Sequence, residues 1–338
     1  MRTATLDAAP LDAAALDAAT LEACIPAAVA APSVCNTQPW RFRLAPESAA
    51  LEVHAVPERA LRHADPVGRA LHLSVGACVF NLRVAAAHFG RTPVVRLLPD
   101  PGDPGLLATL RLSGPLRRPT RHLAGLYPAI RHRHSSRFPF SRRPLPSHVQ
   151  TELTEAAHAE GASLTFPGPA ETARLLRLTG EAEHRNRTDP ERAAESRRWV
   201  HRDPYDAADT GMPRAALGLQ DAQEQLPMRD FTAQRHTERL PAKPFESLPS
   251  VALLTTGHDR RSDWLRAGQA LEHVLLAATT HGVRASLLHQ PMEWPDLRHD
   301  LTPVPNVTGH AQMLIRLGYG PQGPATPRRT PEQVYDAG

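Results

Sequence analysis

Lysine is almost missing from this chain: Lys243 is the only one, and arginine supplies the rest of the 39 basic residues, set against 35 acidic ones for a formal net charge of +4. Part of that bias belongs to codon usage, but it leaves many forked, permanently charged groups suited to phosphate. Cysteine is scarce as well. Cys24, Cys35 and Cys78 are too few and too irregular for a disulfide framework or a CxxC metal knuckle, which places the chain in a reducing cytoplasm. Aromatic residues make up only 5%, too little for the stacking platform of a single-strand binder. Acids also interleave with bases almost everywhere, so a pI near 9.3 does not amount to a nucleic-acid surface. Long apolar runs are lacking too. No window of about 18 apolar residues stands out, so no membrane span is expected. Asp7, Asp12, Asp17 and Glu22 interrupt the Ala-rich start, where a signal peptide would carry an apolar run. Its LDAA units recur every five residues, which winds leucines around a helix instead of stacking them, so the first dozen residues read as a frayed lead-in.

What is present begins with length and a repeat. The 338 residues, 41% of them hydrophobic, suffice to bury one large core or two medium ones. GACVFNLRVAAAHFG (76–90) and GQALEHVLLAATTHG (268–282) match at both glycines and at the central Ala-Ala pair. Both read as buried helices closed by a C-terminal glycine. A β-rich stretch follows each, TPVVRLLP (92–99) and VRASLL (283–288). A weaker pair, LEACIPAAVA from Leu21 and LTEAAHAEGA from Leu153, is offset by 132 residues, whereas the glycine-bounded pair is offset by 192. The second half therefore carries an insertion of about 60 residues, placed at about 180–244 by its run of Arg, Pro, Gly and Asp and expected to form a lid or functional loop. The Pro-rich stretch 113–129 marks the boundary between two α+β units.

Three stretches can carry chemistry. In APSVCNTQPWRF (31–42), Ser33, Asn36 and Gln38 offer donors and acceptors beside Pro32 and Pro39, which stiffen the loop. Side-chain amides in a rigid loop read the edge of a heterocycle, and the same residues equally suit an Asx or Ser turn entering a strand. In AIRHRHSSRFPFSRRPLP (129–146), arginines alternate with Ser135 and Ser136 just ahead of a helix, as either a phosphate clamp or a solvated basic linker. In MLIRLGYGPQGPATPRRTPEQV (313–334), a strand ends in glycines and a Pro-rich arm delivers Arg328 and Arg329, or simply drapes over the surface. Other features are set aside. His132, His134, His281 and His289 lack metal-ligand spacing, Cys35 has no general-base partner in sequence, and GYGPQG has no following Lys-Ser/Thr. No GxGxxG follows a first strand, and no carboxylate pair nominates a glycosidase dyad.

Together these stretches resemble the FMN-dependent nitroreductase superfamily. RHSSR (133–137) is similar to its R-x-S-x-[KR] signature and PSVCNTQPW (32–40) to its P-S-x-x-N-x-Q-P-W loop. The second repeat helix resembles the long dimer-core helix, and LGYGPQGPATPRR (317–329) the LGxP strand with its basic C-terminal residues. The whole chain is similar to the duplicated Acg-like branch of FMN-binding oxidoreductases. The resemblance implies an α+β fold of two pseudo-symmetric halves, 1–120 and 121–338. Each would hold a mixed, mostly antiparallel sheet packed by helices, the two intertwined as an intramolecular pseudo-dimer, so that the chain acts as a monomer. The loop occurs only in the first half and the RHSSR grip only in the second, which implies one complete FMN site per chain.

The resemblance also implies roles. Arg133 and Ser135, with His134 between them and Arg328 or Arg329 from the arm, would hold the phosphate, and Arg137 would lie near the pyrimidine edge. Pro32, Ser33 and Asn36 would face the dimethylbenzene and ribityl side, with Gln38 bracing their loop. Leu288, His289 and Gln290 would supply backbone N–H groups to flavin N5 and O4. NAD(P)H would deliver hydride to N5, and a nitroaromatic, quinone or other electron-poor small molecule would leave with two electrons in ping-pong order. No side chain is nominated as catalytic, the chemistry lying at N5. The alternative is an FMN-storing or sequestering protein whose insertion closes the site.

Overall fold

The computed structural model describes residues 13–45, 49–117, 120–201, 208–231, 241–302 and 309–336. The expected frayed lead-in, residues 1–12, lies outside them. The first half runs through α1 (Ala13–Ala23), α2 (Ile25–Val29), β1 (Trp40–Ala45), β2 (Ala50–Ala55), α3 (Arg69–His88), β3 (Arg91–Leu97) and β4 (Leu106–Pro115). Its strands show how alternation selects a face. Trp40 and Phe42 of β1 are buried while Arg41 and Arg43, alternating with them, are exposed, as a period of two requires of a sheet with one face on the core.

The second half comprises α4 (Arg121–Gly125), α5 (Tyr127–His132), α6 (Ser147–Ala159), β5 (Ser163–Thr165) and then a long excursion. That excursion holds α7 (Pro169–Thr188), α8 (Pro190–Arg198) and four two-residue strands, β6 (Val200–His201), β7 (Met212–Pro213), β8 (Gln220–Asp221) and β9 (Ala242–Lys243). The sheet resumes with β10 (Ser250–Thr256), α9 (Arg261–Thr280), β11 (Arg284–Leu288), α10 (Pro295–Asp300) and β12 (His310–Gly318), and the chain closes with α11 (Pro331–Val334) and β13 (Tyr335–Asp336).

The two main sheets share one plan. The first is ordered β13-β1-β2-β4-β3 and the second β11-β12-β10-β5, so counterpart strands occupy counterpart places, with the long helix inserted between second and third strands in both. Within these two sheets every pairing is antiparallel except β13 on β1, and the C-terminus of the second half thus adds a strand to the first sheet. At the outer edge of β11, Ser135 makes a parallel bridge to Ala285.

The helices α3 and α9 form the centre of the molecule. The repeat suggests that Gly76 and Gly268 open their helices, but both lie inside these 20-residue helices, where the pair cross. A Cβ on Gly76 would strike the Leu265 carbonyl and one on Gly268 the Leu73 carbonyl, a reciprocal contact that only glycine permits. Gly90 and Gly282, with φ of 77° and 68°, follow the two helix ends in the left-handed conformation expected of them. The expectation of no apolar window also needs correction: α3 carries an 18-residue window of mean hydropathy 1.4. That window is 94% buried, so its apolar surface is taken up by α9 and the first sheet.

The insertion differs from its expected limits of 180–244. Counterpart strands β1 and β2 are separated by residues 46–49, but β5 and β10 by 166–249. The sequence hid α7 because a regular, partly apolar helix looks like part of the repeat. Leu175 of α7 packs on Val251, Leu253 and Leu314, covering the face of the second sheet that α6 and α9 leave free. For that reason β10 reads as a continuous apolar run and not as an alternating strand.

Candidate functional site

A cavity of about 990 Å³, mouth included, lies where the halves meet. Leu73, Ser74 and Ala77 of α3 line it with Leu271 of α9, Leu287 of β11 and Met313 of β12. Around this apolar base stand four irregular segments: the loop 32–36, the stretch 133–137, the C-terminal arm at Pro324, Thr326 and Arg328, and the insertion at Met212, Arg229 and Phe231.

The loop is under backbone constraint. Cys35, Asn36 and Gln38 all have φ near +50°, a region that few non-glycine residues adopt and that persists where surroundings enforce it. Those surroundings can be named. Ser33 Oγ accepts from Gln38 N–H (2.9 Å), Asn36 Nδ2 donates to the Gly211 and Pro327 carbonyls (both 2.9 Å), and Asn36 Oδ1 accepts from Arg328 (2.8 Å). The segment is therefore a Ser turn and a pocket edge at once, the two alternatives open from sequence. Burial raises the Cys35 thiol above its ordinary pKa, which removes it as a nucleophile.

Opposite stand the arginines. Arg133 and Arg328 both donate to the Ala30 carbonyl, at 3.2 and 3.4 Å, and the Nε atoms of both are buried without a hydrogen-bond acceptor among the described residues. The carboxylate nearest to them is Glu272 of α9, whose Oε1 lies 3.4 Å from Arg133 Nε. Burial, with the charge of Arg133 added, lowers Arg328 to a pKa of about 9, and burial raises Glu272 to about 7. The stretch 133–137 is not at a helix N-terminus, as its position ahead of α6 suggested; it follows the end of α5 and runs beside β11, so no helix dipole aids it. Gly323 of the arm lies against the Ser135 carbonyl, where a Cβ would not fit, and His134 Nδ1 is held at 3.1 Å by the Gly323 carbonyl.

At the other end, Arg137 and Arg229 bracket the Phe231 ring at 4.9 and 5.5 Å. Burial lowers Arg137 to about 10, whereas Arg229 pairs with Glu293 and is held charged. Glu293 is buried, which alone would raise it, but Arg229 and His289 outweigh this and bring it to about 2. His289 accepts at Nε2 from Arg69 (2.9 Å), a group that can only donate, and so carries its proton on Nδ1 toward Glu293 (3.0 Å). Burial keeps this imidazole neutral.

Of the residues singled out from sequence, Pro32, Ser33, Asn36, Arg133, His134, Ser135, Arg137, His289 and Arg328 line the cavity. Four do not. Gln38 is wholly buried behind the loop, donating to the Asp209 carbonyl (2.7 Å) and accepting from Arg329 N–H (2.9 Å). The Arg329 side chain turns to the Gln333 carbonyl. Leu288 joins the core beneath α7, and Gln290 donates to the Pro227 carbonyl (3.1 Å). Strand alternation places the Leu287 side chain on the cavity and that of Leu288 in the core, while the expectation at 288 and 290 concerned backbone N–H groups. Arg229, Phe231 and Met212 were missed because only the fold of the insertion brings them here.

No family model matches the chain. A protein of Mycobacterium tuberculosis provisionally named an NAD(P)H nitroreductase is 32% identical over 314 residues, 91% of this chain and 89% of that protein. The chain belongs to the Acg-like branch of the nitroreductase superfamily. An uncharacterized protein of the same organism is 30% identical over 92% of this chain and 90% of its own length, and the M. tuberculosis relative named acg is 28% identical over 91% and 92%. Among solved structures, an FMN-bound nitroreductase from Bacteroides fragilis gives a TM-score of 0.36 at 16% identity, covering 61% of this chain and 93% of that one. A nitroreductase-like protein from Bacillus cereus gives 0.33 at 13% identity, with coverage of 62% and 92%. In this Acg-like protein two sheets of like strand order lie in one chain.

Proposed function

We propose that this chain is an FMN-binding NAD(P)H oxidoreductase that reduces electron-poor acceptors such as nitroaromatics or quinones by two electrons. The observation that carries the reading is the convergence of two guanidiniums, Arg133 buried and Arg328 half-buried, each with an unfilled Nε donor, on one cavity that also has an apolar base. A phosphate monoester suits the first feature and a planar ring system the second, so the residues present fit FMN. Bound there, the flavin supplies a site that takes hydride from a nicotinamide and passes two electrons to the acceptor.

The chain's own groups would do the rest. Arg133 and Arg328 would grip the phosphate by charge-assisted bonds, with Ser135 and His134 beside them. Arg137, a half-buried cation with no carboxylate in contact among the described residues, would favour negative charge on the ring system. Pro32, Ser33 and the clamped Asn36 would form the opposing wall, with Gln38 and Arg329 bracing it from behind. The halves 1–120 and 121–338 would each supply part of one site, the protein acting as a monomer. Cys24, Cys35 and Cys78 are free thiols, which suits a reducing cytoplasm.

A second reading is favoured by one observation: Met212, Arg229 and Phe231 of the insertion form part of the cavity wall, and Arg229 is tied to the buried Glu293. If that wall does not open, the protein stores FMN. Mixing the purified yellow protein with NADPH or NADH separates the two. Bleaching that a quinone or nitroaromatic reverses is the expected result; a flavin reduced by dithionite but by neither nicotinamide would establish storage instead.

A further inference from the structure

If the cavity holds FMN, the reading on which this inference rests, the charges beneath the arginine pair do not balance. Glu272 is 0% exposed, so its side chain sits wholly within protein. Arg133 meets it from the stretch after α5, and Arg328 faces it from the C-terminal arm. From α3 come Asn81, which donates to the Ala27 carbonyl at 3.0 Å and whose amide also favours the Glu272 carboxylate without offsetting its burial, and the neutral thiol of Cys78, raised by burial and by the Glu272 charge. His134 is kept neutral by burial, and Arg131 and His132 of α5 are exposed. The next residue on α9, His273, is engaged with Glu160 at 3.5 Å. Among the described residues the enclosed set is therefore two guanidiniums and one carboxyl.

A phosphate monoester, with a second pKa of about 6, carries close to two negative charges at neutral pH. With Glu272 ionised, ligand and pocket would sum to one uncompensated negative charge beside a carboxylate that is itself closed to water; with Glu272 protonated they sum to zero. We propose that Glu272 accepts a proton when FMN binds, so that flavin affinity falls as pH rises above neutrality. In the free chain this carboxyl already titrates at about 7. An incoming dianion competes for Arg133 and repels the carboxylate, raising that value further. Between the free and bound values binding takes up a proton, and affinity falls by up to about tenfold per pH unit. Below a pH of about 6 the phosphate itself loses charge and the trend reverses.

The test is calorimetric titration of flavin-depleted protein with FMN at about pH 7.5 in two buffers of different ionisation enthalpy. The expected result is a buffer-dependent heat corresponding to about three quarters of a proton taken up, absent with riboflavin and absent in Glu272→Gln. That variant should bind FMN with little change in affinity between about pH 7 and 8.5, where the native chain weakens severalfold. Buffer-independent heats in the native protein, which need no variant to fold, would overturn the proposal, as would an unchanged pH slope in Glu272→Gln. Failure to bind FMN at any pH would overturn the flavin reading together with it.

Discussion

Buried carboxyls in this protein are displaced in opposite directions, and their surroundings decide which. Glu293 touches Arg229 and His289 and falls to about 2, so its stabilising contribution is present above the ordinary carboxylate range and is lost as pH falls toward that value. Glu183 of α7, in the insertion, is raised to about 7 by burial, with Glu293 and Asp230 adding to the rise and Arg229 and the Asp230 N–H opposing it. Its folded pKa lies above its unfolded one. The folded state therefore binds the extra proton, and stability falls as pH rises from about 4.5 to 7. Glu183→Gln keeps an acceptor for the Asp230 N–H (2.9 Å) and removes the charge. It should be nearly neutral at pH 5 and stabilising by on the order of 2 kcal/mol at pH 8, by urea unfolding. An equal effect at both pH values would refute the assignment. None of this was visible in the sequence, where these glutamates are two among many. Arg133, Ser135 and Asn36 were legible because their residue types and spacing recur in a known pattern, whereas Arg229 and Phe231 owe their place to tertiary folding alone.

Between elements, the contact that organises the molecule is the crossing of α3 and α9. Their backbones approach at Gly76 and Gly268, the added Cβ of Gly76 falling 2.9 Å from the Gly268 Cα. Each clash is with a carbonyl of the opposing helix, which cannot rotate away as a side chain tip can. Gly76→Ala and Gly268→Ala should each cost about 3 kcal/mol, despite alanine's better helix propensity, because overpacking outweighs a gain of about 1 kcal/mol. Chemical denaturation reads this directly, and a stabilised variant would show that the helices can separate freely. The glycines were legible as a repeat but not as a crossing, since a sequence match carries position and not partner. The strand after the first repeat helix was legible from Thr92, Val94 and Val95, whereas β11 has no β-branched residue and was legible only as a short apolar run after the helix-closing glycine. The start of the insertion was not, because α7 has the length and periodicity of a core helix.

At the scale of the whole chain, duplication offers two places for a ligand, and the second is filled by protein. Ala77 lines the cavity on α3, and its counterpart on α9, 192 residues on, is Gln269. Gln269 accepts from Arg83 at 2.9 Å, and Arg83 pairs with Glu160, in the segment before β5 that corresponds to the loop before β1. His273 closes the group, 3.5 Å from Glu160 and stacked on Phe80 at 4.7 Å. A small residue facing open space has thus been replaced by an amide within a buried ion-paired cluster. Arg83, the one guanidinium of that cluster, is matched by Glu160, so the place offers a phosphate none of the excess positive charge left where Arg133 and Arg328 share Glu272. We expect the purified protein to hold close to one FMN per chain, measured by flavin absorbance after denaturation against protein concentration. Removing the cluster's charges by Arg83→Met with Glu160→Gln should not create a second site, because Gln269 and the stacked rings still occupy the volume. Two flavins per native chain would mean that the cluster opens and that filled space does not limit the protein to one site.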